Sequence, residues 1–294
     1  NRFFQMEVYD LGVLWEWEYD EKFVGLLSKR CRDNDKTCLL VASDNLKQIH
    51  DAVRSDELIF RVILDRATDG NPAFFPLIRK NQQANCRIIN NPEKAIKTHD
   101  RARMHLELIN GGVHVPYSKI LAPEDPIIEE DYAPIGFPLV AKTILGEGGG
   151  DGVVLNVKDF DELDAARKKY PGETLLIQKH IHPRLYQSHR CWFRVFYVCG
   201  KVIPCFWSDQ THIYHRLNPD EENRFGYLKI VMERIYKIVG LDFFSSEIVW
   251  STDGKFQVVD YVNDQCDMRF KSETPDGVPD EVIEEIIQTI ITIL

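Results

Sequence analysis

Along residues 10–90, apolar positions fall in short runs separated by polar, helix-like stretches. GVLWEWEY, TCLLVAS, LIFRVILD and CRIIN predict strands, and Asp20–Arg30 and Asn45–Ser55 predict helices between them. Strand–helix alternation predicts a mostly parallel sheet with helices on both faces. Taken alone, the region reads as a small α/β domain with no chemistry of its own. A single helix is predicted over NNPEKAIKTHDRARMHLELINGG. Asn91 caps it, Pro92 suits its first position, Glu93 meets the positive end of the dipole, and Gly111 or Gly112 ends it. VPYSKIL follows as a strand.

FPLVAKTILGEGGGDGVVLNV then reads as strand, glycine-rich turn and strand. Asp159-x-x-Glu162 forms a capping box that opens a helix. TLLIQKHI and CWFRVFYVCGKVIPCFW read as strands. A long helix is predicted from Asp220 to Val239, stopped by Gly240. SEIVW and KFQVVDYV flank Ser-Thr-Asp-Gly as a hairpin. The last segment, PDEVIEEIIQTIITIL, is an amphipathic helix whose apolar side is expected in the core. The chain shows no internal repeat and no low-complexity segment.

The 294 residues, 44% of them hydrophobic, suit two or three structural units with a real core. Net charge is −10, from 36 basic and 46 acidic residues. That argues against non-specific binding to nucleic acid or to an anionic membrane. Seven cysteines, an odd number with no CxxC pair, are expected as buried free thiols in a reducing cytoplasm. No apolar run approaches the roughly 18 residues that span a bilayer. The opening NRFFQMEVYD lacks an apolar stretch and carries acids, so it is not read as a secretion signal.

GEGGGDG supplies Gly146, Gly148, Gly149, Gly150 and Gly152. So many glycines let backbone N–H groups wrap a polyanion without Cβ clashes. No GK[ST] follows, so this is not a Walker A loop. A strand follows instead of a helix, which disfavours a dinucleotide fingerprint. Between antiparallel strands such a loop can cover a nucleotide's phosphates. Lys142, four residues earlier amid apolar strand residues, needs an anion partner. A flexible hairpin tip with a solvated lysine is the plain alternative.

The hairpin SSEIVWSTDGKFQVVDYVND carries the sharpest geometric expectation. Pairing about Ser251–Gly254 sets Trp250 opposite Lys255 and Glu247 opposite Val258. Glu247 and Asp260 then share a face on neighbouring strands. Two carboxylates a diagonal apart repel unless a cation joins them, and Mg²⁺ takes such ligands. Asn263 reaches that face only if a bulge or the strand end turns it inward; otherwise Asp264 competes. Two exposed acids on a half-wet hairpin is the alternative.

In order, these pieces resemble the ATP-grasp superfamily, over nearly the whole chain. The branch they resemble is that of amino-acid and peptide ligases, including D-alanine–D-alanine ligase and RimK-like glutamate ligases. The resemblance implies an α/β and α+β architecture. A pre-ATP-grasp, Rossmann-like domain (1–97) would precede a lid subdomain with the glycine loop (98–178) and a large subdomain with the metal site (179–294). It implies that Lys142 contacts ATP phosphates and that Gly148, Gly149 and Gly150, with Gly152, lie over them. Gln178, Lys179 and Ile181 match the adenine hinge, with backbone groups of Lys179 and Ile181 reading the base edge. Arg194 matches an arginine that stabilises the acylphosphate or tetrahedral oxyanion. Glu247, Asp260 and Asn263 match the ligands of Mg²⁺, with Mn²⁺ as the alternative ion. Three departures stand out. The early lysine falls at Arg101, which can still bind phosphate. Cys191 and Trp192 stand where an aspartate often precedes the arginine. The usual E-x-N reads Asp260-Tyr261-Val262-Asn263.

The implied activity is ATP- and Mg²⁺-dependent coupling of a small-molecule carboxylate to an amine, in a cytoplasmic enzyme, with a homodimer common in the family. Arg216 and Arg269 are candidates for holding a substrate carboxylate, or else are surface arginines in ion pairs. His180 and His182 are read as hinge or packing residues. One rival reading is a small-molecule kinase of the inositol phosphate kinase type, supported by Arg184, His189, Arg190 and Arg194. Another is a non-catalytic nucleotide-binding module.

Overall fold

A computed structural model describes residues 6–146 and 151–294. The chain opens with β1 (Glu7–Trp15), α1 (Glu21–Asp33), β2 (Cys38–Val41), α2 (Leu46–Arg54), β3 (Leu58–Arg66), α3 (Phe75–Gln83) and β4 (Arg87–Ile89). The four strands form a parallel sheet in the order β2-β1-β3-β4. β1 is an inner strand, so Leu11, Val13 and Leu14 are fully buried. Leu14, Val41 and Ile63 pack with α2 and α3 on one face; Leu11, Val13, Val62 and Leu64 pack with α1 on the other. Both faces are covered, as a parallel sheet requires. β1 begins earlier than GVLWEWEY predicts and stops at Trp15. Beyond it a 3₁₀ turn leaves Trp17 and Tyr19 exposed and swings Asp20 inward. There Asp20 takes both Nε (2.6 Å) and Nη2 (2.7 Å) of the buried Arg66.

The helix expected from Asn91 to Gly111 is broken in two. Asn91 caps α4 (Pro92–Ala95), and a 3₁₀ turn follows. Asp100 is extended and caps its own helix, α5 (Arg101–Asn110). The break lets Arg101 N–H donate to Ile144 O at 2.8 Å, a backbone link that a continuous helix would forbid.

β5 (Ser118–Leu121), β6 (Leu139–Thr143), β7 (Val153–Val157), α6 (Phe160–Lys169) and β8 (Leu175–Lys179) build an antiparallel sheet ordered β5-β8-β6-β7. A short hairpin follows, β9 (Leu185–Tyr186) and β10 (His189–Arg190). β11 (Trp192–Val198), β12 (Lys201–Trp207), β13 (Tyr214–Arg216), α7 (Pro219–Arg224), α8 (Tyr227–Val239), β14 (Phe243–Trp250) and β15 (Phe256–Asn263) come next. Their sheet is ordered β13-β12-β11-β14-β15. The helix predicted from Asp220 to Val239 is thus also split, with Phe225 buried at the joint. Gly240 ends α8 at φ 65°, the left-handed stop expected of it.

One face of this last sheet packs Phe193, Val195, Tyr197, Phe244 and Ile248 against α8. The other face carries Phe196, Val198 and Phe243, covered by α9 (Asp280–Thr292). α9 buries Val282, Ile283, Ile286, Ile287, Ile290 and Ile291 there and against α1, so its apolar side is core as expected. Further along the same strands this cover stops, at Arg194 and Glu247. All seven cysteines are free thiols, four of them buried. Among the described residues no helix is long and apolar enough to cross a membrane.

Candidate active site

The β14–β15 hairpin forms one wall of a cleft. Trp250 pairs with Phe256 rather than Lys255, one residue out from the expected register. That slip alone would send Asp260 to the face opposite Glu247. A bulge repairs it. Ile248 pairs with Val258 and Glu247 with Asp260, so Val259 and Asp260 together oppose Glu247. The two carboxylates are direct cross-strand partners, not diagonal ones. A second bulge sets Ser245 opposite Asn263, so Tyr261 and Val262 together oppose Ser246. Ser245 and Glu247 share a face, and Asn263 joins them there. Asp264 keeps a buried Oδ2 that has no partner among the described residues. Its Oδ1 lies 3.1 Å from His99 Nε2, and its backbone carbonyl accepts from Asn90 at 2.7 Å.

Glu247 is buried, and burial pushes its carboxyl above the usual carboxylate range. Arg194 pulls it down and Asp260 pushes it up again. Arg194 ion-pairs with Glu247 through Nη2, and Trp192 Nε1 donates to Glu247 Oε2 at 3.1 Å. The guanidinium also sits 4.9 Å from the centre of the Trp207 ring. Its buried Nε–H has no partner among the described residues. Trp192 was not anticipated as a site residue. The signal was there: it stands two positions before Arg194 and therefore shares its face.

The opposing wall is the β5–β8 sheet. Lys142 Nζ crosses to donate to Val259 O at 2.8 Å. Burial pushes its ammonium below the ordinary lysine range, Asp260 and Glu247 hold it up, and Arg101 pushes it down. Arg101, at the start of α5, donates from Nη1 to Thr143 O at 2.8 Å. A Cβ at Gly146 would collide with this guanidinium, so glycine is needed for the close approach. Gly148, Gly149 and Gly150 lie outside the described residues.

On β8, where the hinge is expected, Gln178 is buried and donates from Nε2 to Tyr261 Oη at 2.6 Å. His105 Nδ1 lies 2.7 Å from the same oxygen. Burial, then Lys142, pushes the His105 imidazole down to about 4. It is therefore neutral at pH 7, and its Nδ1 can accept from Tyr261 O–H. The Lys179 N–H donates to Tyr117 O at 2.8 Å. Ile181 is buried in a small apolar cluster with Val249, Val259 and Trp192. A cavity of about 750 Å³ opens beside the hinge, lined among others by His105, Tyr117, Lys179, Ile181 and Gln257.

The other candidate arginines are occupied. Arg216 pairs with Glu285 and Glu222, and Arg269 with Asp267 and Asp276. Both make the ion pairs of the alternative reading. Arg190 makes two 2.8 Å bonds to Asp209. Arg184 donates to Ser251 O and Thr252 O, and His189 stacks on Phe206. Arg194 completes this group of residues, pairing with Glu247. The His180 and His182 rings pack edge to face at 4.8 Å. Among the described residues no group of three or more His, Cys, Asp or Glu is arranged to hold a metal ion.

No protein-family model and no curated protein matches this sequence. Solved structures do match the fold. The ATP-grasp ligase PsnB, complexed with a minimal precursor, Mg and ADP, is similar at TM-score 0.67 and 13% identity, over 95% of this chain and 97% of its own. D-alanine–D-alanine ligase from Bacillus anthracis, complexed with ATP, is similar at TM-score 0.64 and 15% identity, over 98% and 96%. A RimK domain ATP-grasp protein from Sphaerobacter thermophilus is similar at TM-score 0.62 and 20% identity, over 95% and 98%. The chain has the ATP-grasp fold.

Proposed function

We propose, from the ATP-grasp fold of this chain, that it is an ATP- and Mg²⁺-dependent ligase joining a carboxylate to an amine. The observation that carries this reading is the hairpin. Two bulges bring Glu247, Asp260 and Asn263 to one face, with Lys142 reaching across to the same strand. Adjacent carboxylates and an amide oxygen make a hard donor set that suits Mg²⁺. When bound, that ion would neutralise phosphate charge.

The remaining roles belong to the chain's own side chains. Lys142 and Arg101 meet the phosphates from the lid side. Ile181, Val249, Val259 and Trp192 offer an apolar bed for the base. The substrate carboxylate attacks the γ-phosphorus, ADP leaves, and an acylphosphate results. The amine then attacks the acyl carbon, phosphate leaves, and the proton lost by the amine goes to the departing phosphate. Arg194, on the face that carries Glu247, stabilises the oxyanion of that second step. The protein mainly positions and neutralises. The three units at 1–97, 98–178 and 179–294 then serve as substrate platform, lid and metal-bearing base.

The test is an ADP-release screen over amino acids and dicarboxylates with candidate amines. A ligase yields ADP, free phosphate and an amide in equal amounts. Phosphate retained on the substrate identifies a kinase. Mg-ATP binding with no turnover of any mixture identifies a binding module. Metal-dependent ATP binding should vanish in the Glu247→Ala, Asp260→Ala double variant.

A further inference from the structure

Asn263 lies three residues beyond Asp260, and regular alternation would turn the two away from each other. The bulge at Tyr261 and Val262 removes that conflict. A bulge leaves a ladder locally disrupted, so something must hold it. Three contacts, all through Tyr261, do so. Ser246 Oγ donates to Tyr261 O at 2.5 Å. Gln178 Nε2, from β8, donates to Tyr261 Oη at 2.6 Å, and His105 Nδ1, from α5, lies 2.7 Å from it. All four residues are buried, none more than 5% exposed. The ring packs in the core behind the sheet, on the side away from Asp260.

We infer that Tyr261 is a positioning residue for the proposed metal site, pinning the bulge that turns Asp260 and Asn263 to one face. This rests on the reading of Glu247, Asp260 and Asn263 as metal ligands. Tyr261 touches no ligand itself; it acts through its neighbours in the chain. It also ties that strand to the hinge strand β8 and to α5, whose first residue is Arg101. The metal-facing, base-facing and phosphate-facing elements thus share one phenolic oxygen. The extra residue in Asp-x-x-Asn is what creates the bulge.

Tyr261→Phe removes the hydroxyl and keeps the ring. Ser246→Ala removes the other pin without touching the hinge. Two measurements on each variant separate the possibilities. In the first, Mg²⁺ is titrated against a fixed non-hydrolysable ATP analogue, with the rise in melting temperature as readout. Supporting groups around metal ligands are worth about 10- to 100-fold in metal affinity. The Mg²⁺ midpoint should rise about tenfold in each variant, while metal-free binding of the analogue stays within about twofold. A lower melting temperature with an unchanged Mg²⁺ midpoint would show a merely structural role and overturn the inference. The second measurement is hydrogen exchange of the ligand-free protein, where amides of 258–263 should exchange about tenfold faster than in the wild type. Unchanged exchange in both variants overturns the pin, whatever the cleft binds. A wild type without any Mg²⁺-dependent shift refutes the ligase reading instead, and exchange alone then decides whether Tyr261 holds the bulge.

Discussion

Asp65 offers a stability test that needs no ligand. It lies buried at the end of β3, where Oδ1 accepts from Ala67 N–H (3.2 Å), Thr68 N–H (3.1 Å) and Thr68 Oγ1 (2.9 Å). Burial nevertheless pushes its carboxyl up from 3.8 to about 6. An acid whose folded pKa lies above its unfolded value supports folding while protonated. That support is complete below the unfolded pKa and is lost as pH rises through the folded one. The loss is about 2 kcal/mol at pH 5 and about 3 kcal/mol at pH 7.5. Asp65→Asn keeps the accepting oxygen and cannot ionise. Its new NH₂ adds an offset that does not vary with pH. The variant's stability relative to wild type should therefore climb by about 1–2 kcal/mol between pH 5 and pH 7.5. At roughly 2 °C per kcal/mol for a chain of this size, the gap in melting temperature widens by about 3 °C. Paired thermal melts at pH 5, 6 and 7.5 read it directly. A gap that is constant, or that narrows as pH rises, refutes the claim that ionised Asp65 is penalised by burial.

His105 should show the opposite sign. Its depressed folded pKa gives support that is present above about pH 6.5 and lost as pH falls toward 4, up to about 3 kcal/mol, and His105→Asn should flatten that slope in the same melts. Asp20→Ala strands the buried Arg66 guanidinium and should cost about 3–5 kcal/mol in urea unfolding; a loss below about 1 kcal/mol would mean Arg66 finds another partner. Gly146→Ala should drive Arg101 off Thr143 O and weaken calorimetric ATP binding about tenfold, with wild-type affinity as the contrary result.

Much of the scaffold was readable because it rests on local periodicity. The strands of the parallel sheet, the capped helices and the αL stop at Gly240 are written in runs of a few residues. The helix breaks were not. Asp100 breaks the expected helix ahead of α5, where a distant carbonyl, Ile144 O, takes Arg101 N–H, and no local propensity reports such a partner. The hairpin is the instructive case. Its two acids were placed on one face through a register that was one residue out, and an unforeseen bulge at Val259 restored the outcome. The need for a bulge before Asn263 followed from parity alone, but what holds it did not. Gln178 and His105 lie 83 and 156 residues from Tyr261, and the sequence carries no short-range trace of that meeting.

The seat of Lys142 on Val259 O has a consequence for how the cleft engages an anion. At rest the ammonium already clasps one sheet to the edge of the other, with a neutral carbonyl as its partner. A hydrogen bond involving a charged group contributes about 1.5–3 kcal/mol. On the proposed reading, an arriving phosphate would exchange one acceptor for a stronger one, with no lysine to recruit from solvent and little side-chain entropy left to surrender. Letting go of the carbonyl would also remove one tie between the two walls, so on that reading the charge that receives the ligand is the one that had been fastening the cleft.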